Sequence, residues 1–170
     1  MKVNHFLILL ACMTVAISLG GSLLPTTYAA EKRENIPVIG MPNPWVAHKD
    51  MQTAEQAVGF PFRVPKTIGD MMPVKIETLD NDIIQVFYRE EAEDETCVLL
   101  RKGYGDQDVS GNYCSYGEST VKMVGSYQVT MQGDDGCVML ATWTKNQFSY
   151  SLSAPAMTME EAETVILAMK

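Results

Sequence analysis

The residues best placed to do chemistry lie between Tyr104 and Tyr116. The run Asp106-Gln107-Asp108-Val109-Ser110-Gly111-Asn112 sets side-chain oxygens at alternate positions and a glycine at the sixth, as an EF-hand calcium loop does. That loop also needs a bidentate carboxylate at its twelfth position, where this chain has Gly117, and Glu118 comes one place late. The preceding segment reads as strand, not helix, so Asp106, Asp108 and Ser110 make only a weak calcium set. The stronger expectation is a long connection whose Asp and Ser side chains bond to their own backbone. The remaining one is a ligand or partner loop. In it Tyr104, Tyr113 and Tyr116 supply amphipathic contact surface beside Asp106, Asp108, Ser110 and Asn112.

Other catalytic constellations are poorly supported. His48 is the only histidine beyond the leading segment, and a Cys–His pair would need Cys97 or Cys114 to meet it in space. A zinc site would need four ligands from one His and three Cys without any close cysteine spacing. No glycine-rich phosphate loop follows a strand and opens a helix. Carboxylates are abundant, but nothing singles out an acid and a base. The expectation is a non-enzyme without a cofactor. Ten methionines follow residue 30, and Met71, Met72, Met123, Met131 and Met139 fit either ordinary core filling or a soft cavity for an apolar ligand.

These groups have to work in a compartment set by the start of the chain. Phe6 to Leu24 is free of charge over 19 residues, Lys2 precedes it, and Thr26-Thr27-Tyr28-Ala29-Ala30 follows. A basic start, an apolar centre and a small-residue end predict a secretory signal over 1–30, cleaved after Ala29 or Ala30. The run is close to the roughly 20 residues of a membrane helix, but Gly20, Gly21 and Pro25 weaken its end as a helix. Leu9-Leu10-Ala11-Cys12 resembles a lipobox but comes too early in the run. The expected location is secreted or extracytoplasmic, with membrane contact only through an uncleaved signal.

Without residues 1–30, about 140 residues remain, the size of one ordinary domain. Loss of Lys2 leaves 12 basic residues against 21 acidic ones, a net charge of −9. Such a surface argues against nucleic acid or anionic membrane as a partner. Much of the charge sits in Glu90-Glu91-Ala92-Glu93-Asp94-Glu95, read as a solvated turn between strands. Cys97, Cys114 and Cys137 are an odd count, which outside the cytoplasm permits one disulfide and one spare thiol. Cys97 lies in an apolar strand pattern, whereas Cys114 and Cys137 flank turn-rich segments. Cys114–Cys137 is therefore the leading pairing, with the other pairings and three free thiols left open.

The elements follow from local pattern. Residues 31–42 read as a tether and 43–170 as one domain, opening on Asn43-Pro44-Trp45 with Trp45 packed as an anchor. Asp50 caps a short helix with Met51, Ala54 and Val58 on one face, and Gly59 stops it. Strand-like runs then span 74–79, 83–88, 96–102, 119–124, 127–132, 138–144 and 148–153, separated mostly by short turns that favour antiparallel neighbours. Thr158-Met159-Glu160-Glu161 forms a capping box for a closing helix whose Ala162, Val165, Ile166 and Met169 must be buried. The predicted fold class is α+β: an antiparallel meander sheet of about six or seven strands with an N-terminal and a C-terminal helix packed on one face.

The order of Asn43-Pro44-Trp45, 54–60, 108–113, Ala141-Thr142-Trp143 and 150–153 resembles a widespread bacterial extracytoplasmic domain of unknown function, DUF4367-like. The likeness spans nearly the whole mature chain, and its motifs are structural in character. It implies an extracytoplasmic module, alone behind a signal or joined to membrane proteins of the anti-sigma type, with no enzymatic role. Cys114 departs from the polar residue usual there, which would make any pairing of Cys114 specific to this protein. The expectation is a monomeric, non-catalytic binding or interaction module for an unknown protein or small apolar ligand. The alternatives are a half-barrel carrier or sensor of an amphiphile, which predicts a sizeable apolar pocket, and a calcium-stabilised recognition domain.

Overall fold

Short alternating segments joined by tight turns lead this chain to pair most strands with their neighbours in sequence, the two strands flanking the 105–117 connection excepted. A computed structural model describes residues 43–90 and 97–170. The expected signal, the tether, most of the acidic run and the first residue of the third strand-like run lie outside the described residues. Eight strands form one antiparallel sheet: β1 (Trp45–His48), β2 (Met72–Leu79), β3 (Ile83–Arg89), β4 (Val98–Tyr104), β5 (Glu118–Val124), β6 (Tyr127–Gly133), β7 (Val138–Lys145) and β8 (Phe148–Met157). Their order is β1-β2-β3-β4-β8-β7-β6-β5. Two meanders thus meet at the β4–β8 seam. The connection over 105–117 carries the chain from the centre of the sheet to its far edge.

The α+β class and antiparallel sheet are as the patterning predicts, but the strand count is one higher. The added strand is β1, which pairs Trp45 with Leu79 and His48 with Ile76. Four residues behind a proline are too short to display a period, so only pairing reveals them as a strand. His48 is engaged there, its Nε2 lying 2.8 Å from Thr78 Oγ1.

Helix α1 (Met51–Val58) has both predicted ends, and helix α2 (Met159–Ala168) has the predicted start. Asp50 accepts from the Thr53 amide at 2.9 Å, and Gly59 closes α1 at φ 77°, a left-handed conformation that glycine adopts without a Cβ penalty. In α2 the Thr158 hydroxyl and the Glu161 carboxylate satisfy each other's backbone amides. Ala54 and Val58 of α1 and Ala162, Val165 and Ile166 of α2 enter one buried cluster with Ile84, Val86, Leu100, Trp143 and Leu152 of the sheet. Each fully buried aliphatic side chain contributes about 1.5–3 kcal/mol by area, so this shared core holds both helices on the sheet.

Two polar groups are drawn into that core. The Lys102 side chain donates to the Pro61 carbonyl at 2.5 Å, and its ammonium lies 4.4–5.4 Å from the ring centres of Phe60, Phe148 and Tyr150. It is only 4 % exposed. Burial lowers its pKa, partly offset by Glu55, while the rings recover part of the lost hydration by cation–π attraction. Tyr88, fully buried, donates to the Pro65 carbonyl at 2.5 Å. The two residues therefore tether the 60–65 segment from opposite ends.

Burial pushes the Tyr88 hydroxyl from 10 up to about 12. The native state then keeps a proton that the unfolded chain releases, so this contribution is complete below pH 10 and lost as pH rises through about 12. Urea unfolding from pH 8 upward should show the wild type losing stability against Tyr88→Phe above pH 10, by about 3 kcal/mol in the limit. A constant difference would contradict this.

Candidate functional site: a clamped loop and its cleft

Register places one residue from each strand in a single row across the face opposite the helices. The row runs Ala47, Glu77, Gln85, Arg101, Ser151, Thr142, Thr130, Val121. Directly opposed residues in a pleated sheet project to the same side. Glu77, Gln85 and Ser151 in this row are buried, so the face is not the solvated surface that polar alternation suggests.

Connected hydrogen bonds satisfy the β2–β4 half. Lys75 Nζ lies 2.6 Å from Glu77 Oε1, and Gln85 Nε2 donates to Glu77 Oε2 at 2.8 Å. Arg101 Nε donates to Gln85 Oε1 at 2.8 Å, and Arg101 Nη1 donates to the carbonyls of Val109 at 3.1 Å and Ser110 at 2.5 Å. The Trp45 ring covers the guanidinium, 5.2 Å from centroid to Cζ. Burial lowers the Arg101 pKa, against the pull of Asp108 and Glu77. A planar guanidinium suits this place because it reaches a side-chain oxygen and two main-chain oxygens at once. The Ser151 hydroxyl beside it is buried and has no hydrogen-bond partner among the described residues.

Arg101 thereby clamps the 105–117 connection onto the sheet. Val109 and Ser110 are buried beneath it. Two glycines allow the close approach. A Cβ on Gly103 would stand 2.7 Å from Val109 Cγ1, and one on Gly111, at φ 60°, would stand 2.5 Å from Arg101 Nη1. The loop also braces itself. The Asp108 carboxylate accepts from the Ser110 amide (2.8 Å) and hydroxyl (3.0 Å), and the Ser110 oxygen accepts from the Asn112 amide (3.1 Å). Asn112 Oδ1 accepts from the Cys114 amide (2.9 Å), while its Nδ2 lies 2.7 Å from the Tyr116 oxygen. This is the expected connection bonded to its own backbone.

The same bonds engage the oxygens of the weak calcium set. Both Asp108 oxygens and the Ser110 hydroxyl are committed within the loop, and Asp106 Oδ1 accepts from Gln107. Among the described residues no three His, Cys, Asp or Glu come together as metal ligands. Cys114 and Cys137 are not bridged in the structure, and Cys97, Cys114 and Cys137 each stand unpaired among the described residues. The Cys114 amide is fixed by Asn112 and the Cys137 amide by the Asp134 carbonyl, so each cysteine is held in its own turn. The tyrosines are engaged separately. Tyr104 meets Phe148 edge-on at 5.6 Å, Tyr116 joins Asn112, and Tyr113 stands 98 % exposed.

Beyond the clamp the row opens into a cleft of about 400 Å³ between the loop and the β5–β8 half of the sheet. Asp106 and Asp108 line it from the loop, and Gln128, Thr130, Thr142 and Ser149 from the strands. Those strand residues supply amide and hydroxyl groups, suited to hydrogen bonding a ligand rather than attacking one. A second groove of similar size, lined by Ile68, Met71, Met157, Val165 and Ala168 among others, runs between α2 and the 65–71 segment. Its lining is mainly apolar.

Sequence reasoning found the loop but missed Arg101, Glu77 and Gln85, which hold it. The available signal was a polar residue inside each of three consecutive strands, and only the register turns that into one row. No family model, curated protein or solved structure matches the chain.

Proposed function

We propose that this chain is a non-catalytic extracytoplasmic binding module that takes its ligand in the cleft between residues 106–109 and the β5–β8 floor. The observation that carries this reading is the Arg101 clamp. Three guanidinium hydrogen bonds hold one wall of an open polar cleft against a rigid sheet. A wall fixed before the ligand arrives avoids the ordering cost of a loose loop. The lining favours a polar, hydrogen-bonding ligand over the apolar one that the methionine content suggests. Secretion, and attachment to the envelope only if the leading segment is retained, belong to the same proposal.

The apolar groove beside α2 supports a second reading, a carrier of an amphiphile. One experiment separates the two. The mature protein, incubated with envelope extract and examined by native mass spectrometry, should retain a small ligand that Thr142→Trp loses and Ala168→Trp keeps. The reverse pattern would favour the groove, and retention by both variants would overturn both readings.

A further inference from the structure

The outer edge of β5 is open along its length. Six of its seven residues are exposed, among them Val121 at 58 % and Met123 at 60 %. Among the described residues no strand pairs with this edge. It carries no proline and no register shift against β6, two of the usual devices that keep an edge from pairing. Val124 and Tyr127 flank the two-residue turn Gly125-Ser126 and form its hydrogen-bonded pair. Alternation then turns the amides and carbonyls of Ser119, Val121 and Met123 outward.

We propose that this edge pairs with the same edge of a second copy, antiparallel about a two-fold axis at Thr120. Two registers suit the outward groups, one centred on Val121 and one on Thr120. Centring on Val121 sets Glu118 against Val124 of the second copy and Lys122 against Thr120. Centring on Thr120 sets Glu118 against Lys122 of the second copy, twice by symmetry, with Thr120 against its own image. These are the only two charged residues of β5, and this register makes them complementary. Opposite charges and Thr–Thr pairs directly across a ladder are favourable. Within one copy Lys122 already pairs with Glu163 of α2, so in the dimer it lies between two carboxylates. The contact is isologous, as two-fold pairing requires. It also brings together the cleft walls of the two copies, because Val121 lines the cleft. This departs from the monomer expected from sequence.

Sedimentation of the mature chain over a dilution series tests it. The wild type should approach twice the chain mass. Glu118→Lys or Lys122→Glu alone should weaken association about tenfold, and the double exchange should restore it. Far-UV circular dichroism and melting confirm that each variant folds. Should a charge variant fail to fold, Thr120→Cys in a Cys114→Ser background should form a cross-linked dimer on mild oxidation, since Thr120 would face itself at disulfide range. A wild type that stays monomeric throughout, or a dimer indifferent to both charge reversals, would overturn the proposal.

Discussion

Replacing Arg101 with methionine should destabilise the domain by about 4 kcal/mol and release the 105–117 loop. The guanidinium makes three hydrogen bonds, to Gln85 and to the carbonyls of Val109 and Ser110. Its removal strands those acceptors beneath a covered face, at about 1–3 kcal/mol for each buried group left unsatisfied. Methionine recovers part of the packing under Trp45, worth on the order of 1 kcal/mol, so the loss of acceptor partners wins. Glu77 stays paired with Lys75 and Gln85 and is not left as an isolated charge. Arg101→Lys should lie between the wild type and Arg101→Met, because an ammonium is too compact to span all three acceptors. Denaturant unfolding gives the stability. Hydrogen exchange should show the amides of Ser110 and Asn112 losing protection well before those of the β3–β4 ladder. A uniform loss of protection, or a cost under about 1 kcal/mol, would show that the loop does not depend on this clamp.

The second large effect is expected at Gly133, where β6 ends. Gly133 is buried, and a Cβ there would stand 1.8 Å from the Cys137 carbonyl oxygen and 2.9 Å from its carbonyl carbon. Both are backbone atoms of the turn into β7, so no rotamer change relieves the clash. Either β7 shifts away, disturbing the β6–β7 ladder around Gln132 and Leu140, or β6 loses its last pair with Glu118. Overpacking typically costs 1–3 kcal/mol where side chains can adjust. With backbone on both sides, Gly133→Ala should cost about 3 kcal/mol or more and lower the melting temperature by roughly 10 °C. Gly136, at φ 75° with no atom within 4 Å of a Cβ, is the control. Alanine there should cost only the strain of a left-handed residue, about 1 kcal/mol. Equal costs at the two positions would contradict the steric argument.

Much of this fold was legible in single residues and their spacing. Asp50, Gly59 and the Thr158–Glu161 box mark helix ends because capping is local chemistry. The hairpins are legible because each tight turn fixes its own register. What could not be read depends on contacts distant in sequence. β4 and β8 meet through residues about fifty apart, Leu100 with Leu152, and no local signal announces that seam. The same holds for the site. The loop is visible as a turn-rich run, whereas its clamp joins Glu77, Gln85 and Arg101 from three strands. Lys102 misleads for the opposite reason. At the end of a strand it looks like a solvated lysine, yet aromatic rings from two separate segments close over it.

The proposed binding site is the cleft walled by 106–109. Hydrogen exchange of the mature domain, with and without the ligand retained from envelope extract, addresses it most directly. Binding should slow exchange across 106–109 and at residues 128–130, 142–144 and 149, with the β1 edge and the α2 groove unchanged. Protection confined to the α2 groove or to the β1 edge, with the cleft unaffected, would contradict the account.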